Sequence, residues 1–482
     1  MATWVDDLTG LNATRMRDRP VVADTARAQA IAMASPDTSL AIAGMRHSQG
    51  GHTMVPDGRM LQTTVEFNRI GPPRKVTGAV YDGLNYDGLI EAEAGATWEE
   101  LHRVLGRQGL APMVQQSSAD FSVGGSLSVN CHGRDSRWGP MSSSVEDVTV
   151  LTGNGDIVTA SRTQNTPLFR AVIGGYGACG QILKATLRVV ANATLQYRGD
   201  VRRRHVDDYV GHATALLGQT NIHLHYAWLC CVPDRFFDEL LIADLVHVPM
   251  PEPFPVQWTF KEQSWGAEEI LRAGWDAARE HPHTMRAAVW DQLWQLHRIG
   301  GEGGKGSVAE RIDWLRASVS FTARRGDLST DILQEYFVPI HQLRQMIDAL
   351  KRIYTDPIHK TNVLSATLRL VRADDETALS YCPGGPRVCI AVDAEVVTVD
   401  SAQGGGRKDL HAGPAEAIRL AIAEAQRLGG SYYLPYHRVV EKSAFQAAYP
   451  HHADLQAAID EYNPLKNGRH RYWNNFLATY FS

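Results

Sequence analysis

The sequence has few cysteines, and none is placed to hold a metal. Its 482 residues carry six: Cys131, Cys179, Cys230, Cys231, Cys382 and Cys389. No two form a C-x-x-C pair, and the adjacent Cys230 and Cys231 make a poor chelate. Neither a zinc site nor a disulfide scaffold is expected. The histidine pairs His281/His283 and His451/His452 lack the context of a metal site, so no metal is expected. A basic excess is also missing. The chain has 48 Lys and Arg against 53 Asp and Glu, a formal net charge of −5. That excludes a general nucleic-acid binder, whose affinity rests on clustered cations. No uncharged apolar run approaches the length of a membrane span. The opening Met1-Ala2-Thr3-Trp4-Val5-Asp6-Asp7 has neither the basic region nor the apolar stretch of a signal peptide. A cytoplasmic protein without a membrane span is expected. There is no internal repeat and no long low-complexity tract.

What is present is an ordinary globular composition, 44% hydrophobic and 21% charged. The length suits two or three domains and a large core. Residues 20–190 alternate helical and strand patterns, an α+β layout. Residues 24–35 are alanine-rich and suit a helix capped by Asp24 or Thr25. Thr97-Trp98-Glu99-Glu100 is a capping box opening a helix that runs to about Gly109. Strands are expected at 146–151 and 156–160 around the hairpin signal Gly153-Asn154-Gly155. Thr166-Pro167 opens another helix, with Pro at its first position. Residues 181–190 read as a strand, with Leu183, Ala185, Leu187 and Val189 on one face and Lys184, Thr186 and Arg188 on the other. From about 196 to 428, Trp and His are frequent. Helical stripes run through Ile340, Leu343, Ile347, Leu350 and Ile353, and through Ile418, Ala421, Ile422, Ala425 and Leu428. The second stops at Gly429-Gly430. Strands are expected near 331–338, 361–371 and 387–398, and residues 300–307 read as a glycine-rich loop.

The chemistry-bearing segments are glycine turns. After the apolar run Leu40-Ala41-Ile42, a short buried strand, comes Ala43-Gly44-Met45-Arg46-His47-Ser48-Gln49-Gly50-Gly51-His52-Thr53. Successive backbone N–H groups in such a turn form a nest for phosphate oxygens. Gly175-Tyr176-Gly177-Ala178-Cys179-Gly180 matches G-x-G-x-x-G, but a helix precedes it and a strand follows. That inverts the dinucleotide-binding order. Gly303-Gly304-Lys305-Gly306-Ser307 fails the P-loop spacing. Ser122-Val123-Gly124-Gly125-Ser126-Leu127-Ser128-Val129-Asn130-Cys131-His132-Gly133-Arg134-Asp135 is a second small-residue turn, with an imidazole beside it.

In this order the segments resemble FAD-linked oxidoreductases of the vanillyl-alcohol oxidase, or PCMH, type. The carriers are the turn at 44–52, the Val-Gly-Gly segment at 122–133, the hairpin Val148-Thr149-Val150-Leu151-Thr152-Gly153-Asn154-Gly155-Asp156, and Asn165-Thr166-Pro167-Leu168-Phe169 leading to Gly174–Ile182. Cytokinin dehydrogenases carry similar versions of all four. The C-terminal half is similar to decaprenylphosphoryl-ribose oxidases and related sugar oxidases, through Glu335-Tyr336-Phe337-Val338-Pro339, Leu379-Ser380-Tyr381 with Arg387-Val388-Cys389-Ile390, Gly429-Gly430-Ser431-Tyr432-Tyr433, Phe445-Gln446-Ala447-Ala448-Tyr449-Pro450 and Tyr472-Trp473-Asn474-Asn475-Phe476. The resemblance implies a PCMH-type FAD-binding domain at 1–195, an α+β substrate-binding cap at 196–428, and a segment at 429–482 returning to the FAD domain.

The resemblance also implies roles. Gly44, Met45, Arg46, His47, Ser48, Gln49, Gly50, Gly51 and His52 would bind the cofactor on one side. Ser117, Ser118, Val123, Gly124, Gly125, Ser128, His132, Gly133, Gly177, Gly180, Ile182, Tyr433 and Asn475 would bind it elsewhere. His47 occupies the position that carries a covalent 8α-histidyl FAD in many members, with His52 as the competing candidate. The segment 115–120 has no cysteine, so a second link is not expected. Alcohol oxidation delivers hydride to flavin N5 while a base takes the hydroxyl proton. The residues implied are His132 beside the flavin, Glu335 as hydrogen-bond partner or base, and Tyr436, helped by His437 or Arg438. Tyr436 stands where the ribose oxidases place a lysine. Glu335 would act as base if burial raises its pKa. Cys131 and Cys389 fall near the ring. The expected activity is oxidation of a CH–OH group of a sugar, polyol or similar small molecule, with O2 or another electron acceptor. Amine oxidation of the cytokinin-dehydrogenase kind is the alternative. The oligomeric state is left open.

Overall fold

The computed structural model describes residues 3–64, 66–199, 204–249, 277, 279, 281, 283–301, 308–316 and 324–482. Two large sheets organise them. The first has the strand order Arg74–Tyr81, Leu84–Glu93, Gly180–Ala191, Val145–Thr152, Ile157–Ser161, all antiparallel, and Leu110–Pro112 also pairs with Gly180–Ala191. Beside it lies a parallel pair, Leu40–Ala43 with Arg59–Gln62. The second sheet runs in the order Val308–Glu310, Thr194–Gly199, Glu239–His247, Ile222–Leu229, Thr361–Val371, Arg387–Asp400, Ser329–Pro339, Ser431–Tyr432. Its strands pair antiparallel, so each alternates its side chains between two faces. One face packs on the helices Leu343–Thr355 and Ala412–Arg427. There Tyr336 meets Tyr354, hydroxyl to hydroxyl, at 2.8 Å. The opposite face looks toward the first sheet.

Local signals explain the elements. Asp24 caps the helix Thr25–Met33 by accepting from the Arg27 N–H at 2.7 Å. Thr97 and Glu100 form the reciprocal capping box of the helix Trp98–Gly106. That helix stops three residues before Gly109, which supplies a left-handed turn (φ +67°) into Leu110–Pro112. Pro167 is the second residue of the helix Thr166–Val172, not the first. First-turn N–H groups have no helical partner, so proline loses nothing at either place. Helix Ala412–Arg427 ends as its apolar stripe does, with Gly429 at φ +74°. Helix Thr166–Val172 precedes the 175–180 glycines and strand Gly180–Ala191 follows them, the inverted order.

Arg188 keeps its expected face, but that face is covered. It is buried, donating to Glu146 at 2.6 Å and to the Ser143 carbonyl at 2.8 Å, with its guanidinium 4.3 Å from the Tyr81 ring centroid. Alternation chose the face, but Tyr81 and the loop before Val145–Thr152 cover it. Gly300 and Gly301 close the helix Thr284–Gly301, and the rest of the expected loop, 302–307, lies outside the described residues. All six cysteines are buried and free.

The C-terminal residues touch the larger sheet, the parallel pair and the 175–180 turn. Ser431–Tyr432 forms an edge of the larger one. Further on, Trp473 donates to the Leu40 carbonyl at 3.0 Å and Leu40 donates to the Arg471 carbonyl at 2.7 Å. The Asn463 amide spans the Ala178 and Tyr472 carbonyls at 2.8 and 2.7 Å. No helix among the described residues is long and apolar enough to cross a membrane.

Candidate active site

A cavity of about 810 Å³ lies between the two sheets. Its size is at the upper end of what small-molecule sites offer. One wall is built from turns: residues 44–49, the segment 116–134, and Tyr176 with Gly177. The other wall is the free face of the larger sheet. It presents every second residue of four strands: Tyr226 and Trp228; Asp331, Leu333 and Glu335; Ser365, Thr367 and Arg369; Ala391 and Asp393.

The first turn is held from three directions. Gln49 N–H donates to the Pro435 carbonyl at 2.7 Å, and its Oε1 accepts from the Leu333 N–H at 2.9 Å. Asn12 Nδ2 donates to the Gln49 carbonyl at 2.9 Å. Gly51 needs its left-handed φ of +69° and donates to Asp7 Oδ2 at 3.2 Å. A methyl group at Gly50 would overlap the Tyr436 carbonyl and the His52 ring. One at Gly44 would overlap Ser122 Oγ, and one at Gly124 would lie 2.6 Å from Ala94 Cβ. Arg46 takes a positive φ of 61°, which a non-glycine residue adopts only when its surroundings hold it there.

The two histidines of this turn differ. His47 stacks on Phe121, ring centroids 3.9 Å apart and planes within 14°. Its Nε2 is buried without a hydrogen bond, with an Asp120 carboxylate oxygen 3.5 Å away. Burial lowers its pKa against the pull of Asp120. His52 lies deeper, its Nε2 bonded to the Leu434 carbonyl at 2.9 Å. Burial, with Arg438 nearby, brings its pKa down to about 3.

The sheet face and the second turn meet in a buried polar cluster. His132 Nε2 lies 2.6 Å from Glu335 Oε2, and the Tyr436 hydroxyl donates to Glu335 Oε1 at 2.8 Å. Cys389 Sγ is 3.5 Å from Glu335 Oε2. Burial pushes the Glu335 pKa up, but the His132 imidazole, Arg369 and the Tyr436 hydroxyl together hold it below the usual carboxylate range. The expectation that burial would raise it is thereby reversed. Burial, then the Glu335 charge, raises Tyr436 well above the ordinary phenol value, so its hydroxyl remains a donor. His437 and Arg438 do not join this cluster. Arg438 donates to the Asn475 carbonyl at 2.8 Å and to Thr479 at 2.6 Å, and neither residue lines the cavity. Cys131 does line it, its thiol raised by burial to about 12 and directed at Gln116 Oε1, 3.3 Å away.

The cavity gathers Gly44, Met45, Arg46, His47, Ser48, Gln49, His52, Ser117, Ser118, Gly124, Gly125, Ser128, His132, Gly177, Ile182, Glu335, Tyr433 and Tyr436. Gly50, Gly51, Val123, Gly133, Gly180 and Asn475 stand behind its wall. A methyl at Gly133 would overlap the Gln115 carbonyl, and one at Gly180 the Leu151 carbonyl of the paired strand. Val123 is fully buried at the start of its helix. Asn475 donates to Thr14 Oγ1 at 2.9 Å. The sequence reading had the segment 174–182, which carries Tyr176, beside the cofactor, and missed Gln116, Phe121 and Arg369. Only Arg369 carried a usable signal, since it shares a strand face with Thr367.

Residues 23–161 match the family described as FAD binding domain. This part of the chain is a PCMH-type FAD-binding domain. Among its relatives, the chain is 34% identical over 158 residues to cytokinin dehydrogenase 8 of Oryza sativa subsp. indica, covering 32% of this chain and 29% of the relative. It is 32% identical over 145 residues to cytokinin dehydrogenase 7 of Oryza sativa subsp. japonica, covering 30% and 26%. It is 36% identical over 106 residues to D-arabinono-1,4-lactone oxidase of Yarrowia lipolytica, covering 22% and 20%. The chain thus spans less than a third of the length of these relatives. The site's residues fit FAD. The cavity is roomy, glycines stand where side chains would collide, and several buried polar atoms of its lining residues, among them His47 Nε2 and Ser117 Oγ, have no hydrogen-bond partner.

Proposed function

We propose that the protein is an FAD-dependent oxidoreductase that oxidises a CH–OH group of a sugar, polyol or similar hydroxylated molecule, with its flavin joined to His47. The observation that carries the reading is the buried Glu335–His132–Tyr436 cluster, where the sheet wall of the cavity meets the turn at 122–133. The chain divides on this reading into an FAD-binding domain at 1–195, a substrate-binding cap at 196–428, and a returning segment at 429–482.

Residues 44–52, with Ser117, Ser118, Gly124, Gly125, Gly177 and Ile182, would hold the cofactor. When bound, FAD supplies a two-electron acceptor for the hydrogen leaving the substrate carbon. The chain's own part is proton management. Glu335 is ionised and fixed at both oxygens, one by Tyr436 and one by His132. His132, whose Nδ1 has no hydrogen-bond partner, receives the hydroxyl proton; the Glu335 carboxylate holds its Nε2 and stabilises the resulting cation, and Tyr436 orients that carboxylate as a donor rather than acting as a base. His47 is suited to its link because its Nε2 has no hydrogen bond and burial favours the neutral, nucleophilic imidazole. His52 is a poorer candidate because its Nε2 is engaged by Leu434.

Anaerobic mixing of the flavin-loaded protein with a panel of polyols, sugars and secondary amines tests the reading. Bleaching of the flavin by a hydroxylated compound is expected. Bleaching by amines alone would replace alcohol oxidation with CH–NH oxidation.

A further inference from the structure

Two arginines converge on the cavity at Tyr226, with no hydrogen-bonded or ion-paired carboxylate on either among the described residues: Leu368 pairs with Ala227, which brings Arg369 level with Tyr226, and Arg134 lies over that ring. Arg369 projects from Thr361–Val371 on the same face as Ser365 and Thr367, and its Nε is buried without a hydrogen bond. Arg134 enters from the second turn. It donates to the Trp314 carbonyl at 2.6 Å, and its guanidinium lies 5.4 Å from the Tyr226 ring centroid. The two are close enough that Arg369, after burial, holds the Arg134 pKa down.

Their neighbours show what a compensated arginine looks like here. Arg279 grips Asp331 with two bonds of 2.7 and 2.6 Å. Arg311 and Arg137 share Asp135 at 2.8 and 2.7 Å. Asp393, also on the wall, does not balance Arg134 and Arg369, because burial and then Asp331 raise its pKa well above the ordinary value. Glu335 is within electrostatic reach of Arg369, but its oxygens are taken by His132 and Tyr436. Arg134 and Arg369 are partly buried; like charges so placed repel one another unless an anion joins them, and guanidinium groups favour carboxylate and phosphate.

We infer that Arg369 and Arg134 bind an anionic group of the substrate, a carboxylate or a phosphate, beside the carbon whose hydroxyl faces the Glu335–His132 pair. The substrate is then a hydroxy acid or a hydroxylated phosphate ester and not a neutral polyol. The inference rests on the alcohol-oxidation reading for its second half only; the anion site stands on the arginines themselves.

The test uses the flavin-loaded protein with oxalate and with inorganic phosphate, neither of which has a CH–OH group to oxidise. Binding is followed by calorimetry and by perturbation of the flavin absorbance, in wild type, Arg369→Gln and Arg369→Lys, each checked for an unchanged melting temperature. Saturable binding of one or both anions to wild type is expected. It should weaken at least about tenfold in Arg369→Gln and less in Arg369→Lys, and the tighter probe distinguishes carboxylate from phosphate. Equal binding by wild type and Arg369→Gln overturns the inference. So does the absence of anion binding in wild type, with neutral polyols reducing the flavin as fast as hydroxy acids and phosphates. If anions bind through Arg369 but no hydroxylated compound of any charge reduces the flavin, the anion site is supported and the alcohol reading alone falls.

Discussion

Glu335 and His132 are 203 residues apart in the sequence and 2.6 Å apart in the fold. One comes from the strand Ser329–Pro339, next to the edge of the larger sheet, the other from the turn at 122–133 within the FAD-binding domain. Their contact joins the two walls of the cavity.

Replacing Glu335 with Gln keeps the shape of the cluster and removes its charge. On the proposed mechanism, losing the carboxylate that orients His132 and stabilises its cation slows the reaction by about 10²- to 10⁴-fold. Arg369 then also loses a carboxylate within its electrostatic reach. The expected outcome is a flavin content like that of wild type and a rate of anaerobic flavin reduction lower by about that factor, read by stopped-flow absorbance.

His47→Ala tests attachment separately from binding. Acid precipitation of the wild-type protein should leave the yellow colour in the pellet. The variant should release it to the supernatant while still purifying with flavin, since the rest of the turn is untouched. Yellow supernatant from wild type would remove the covalent link from the account.

Gly50→Ala pushes a methyl group into the Tyr436 carbonyl and the His52 ring. The turn must shift, and Tyr436 with it. Both lower FAD occupancy and slower substrate oxidation are expected from this one change. Flavin-to-protein absorbance ratios and turnover measured on the same preparation check the pair of effects.

Acid should destabilise the fold through its buried histidines. Burial, the largest cause at each, lowers His52, His223 and His437 from about 6.5 to about 3. Between those values the unfolded chain takes up protons that the folded chain refuses. The stability from keeping these rings neutral is therefore complete above about pH 6.5 and lost as pH falls toward 3. Melting temperatures should decline across that window. The decline should be shallower in His437→Gln, a residue outside the cavity wall. An identical slope in that variant would contradict the assignment.

Much of this site was legible because its signals are local. The glycine and small-residue turns at 44–52 and 122–133, the capping box at Thr97, and the strand around Glu335 each follow from a few neighbouring residues. Chain reversals of that kind are encoded where they occur. What stayed hidden depends on approach between distant segments. Arg188 keeps the face its alternation gave it, but only the fold shows Tyr81 covering that face. Glu335 was to be a base if burial raised its pKa, but an imidazole from a distant segment holds it down. Arg369 gains its meaning only once the fold brings Arg134 to the same end of the cavity. His437 and Arg438, adjacent to Tyr436 in sequence, point away because the chain there turns to meet Asn475 and Thr479.

Gln49 touches three parts of the chain at once: the strand at Leu333, the segment at Pro435, and the N-terminal Asn12. A joint shared in this way ties the larger sheet, the cofactor turn and the N-terminal segment to one another. The strand at Leu333 cannot draw away from the turn without breaking its bond to Gln49, so the cavity is expected to open through side-chain and loop movements at its mouth. Calorimetry should accordingly record one cooperative melting transition, where two domains on a free linker would give two.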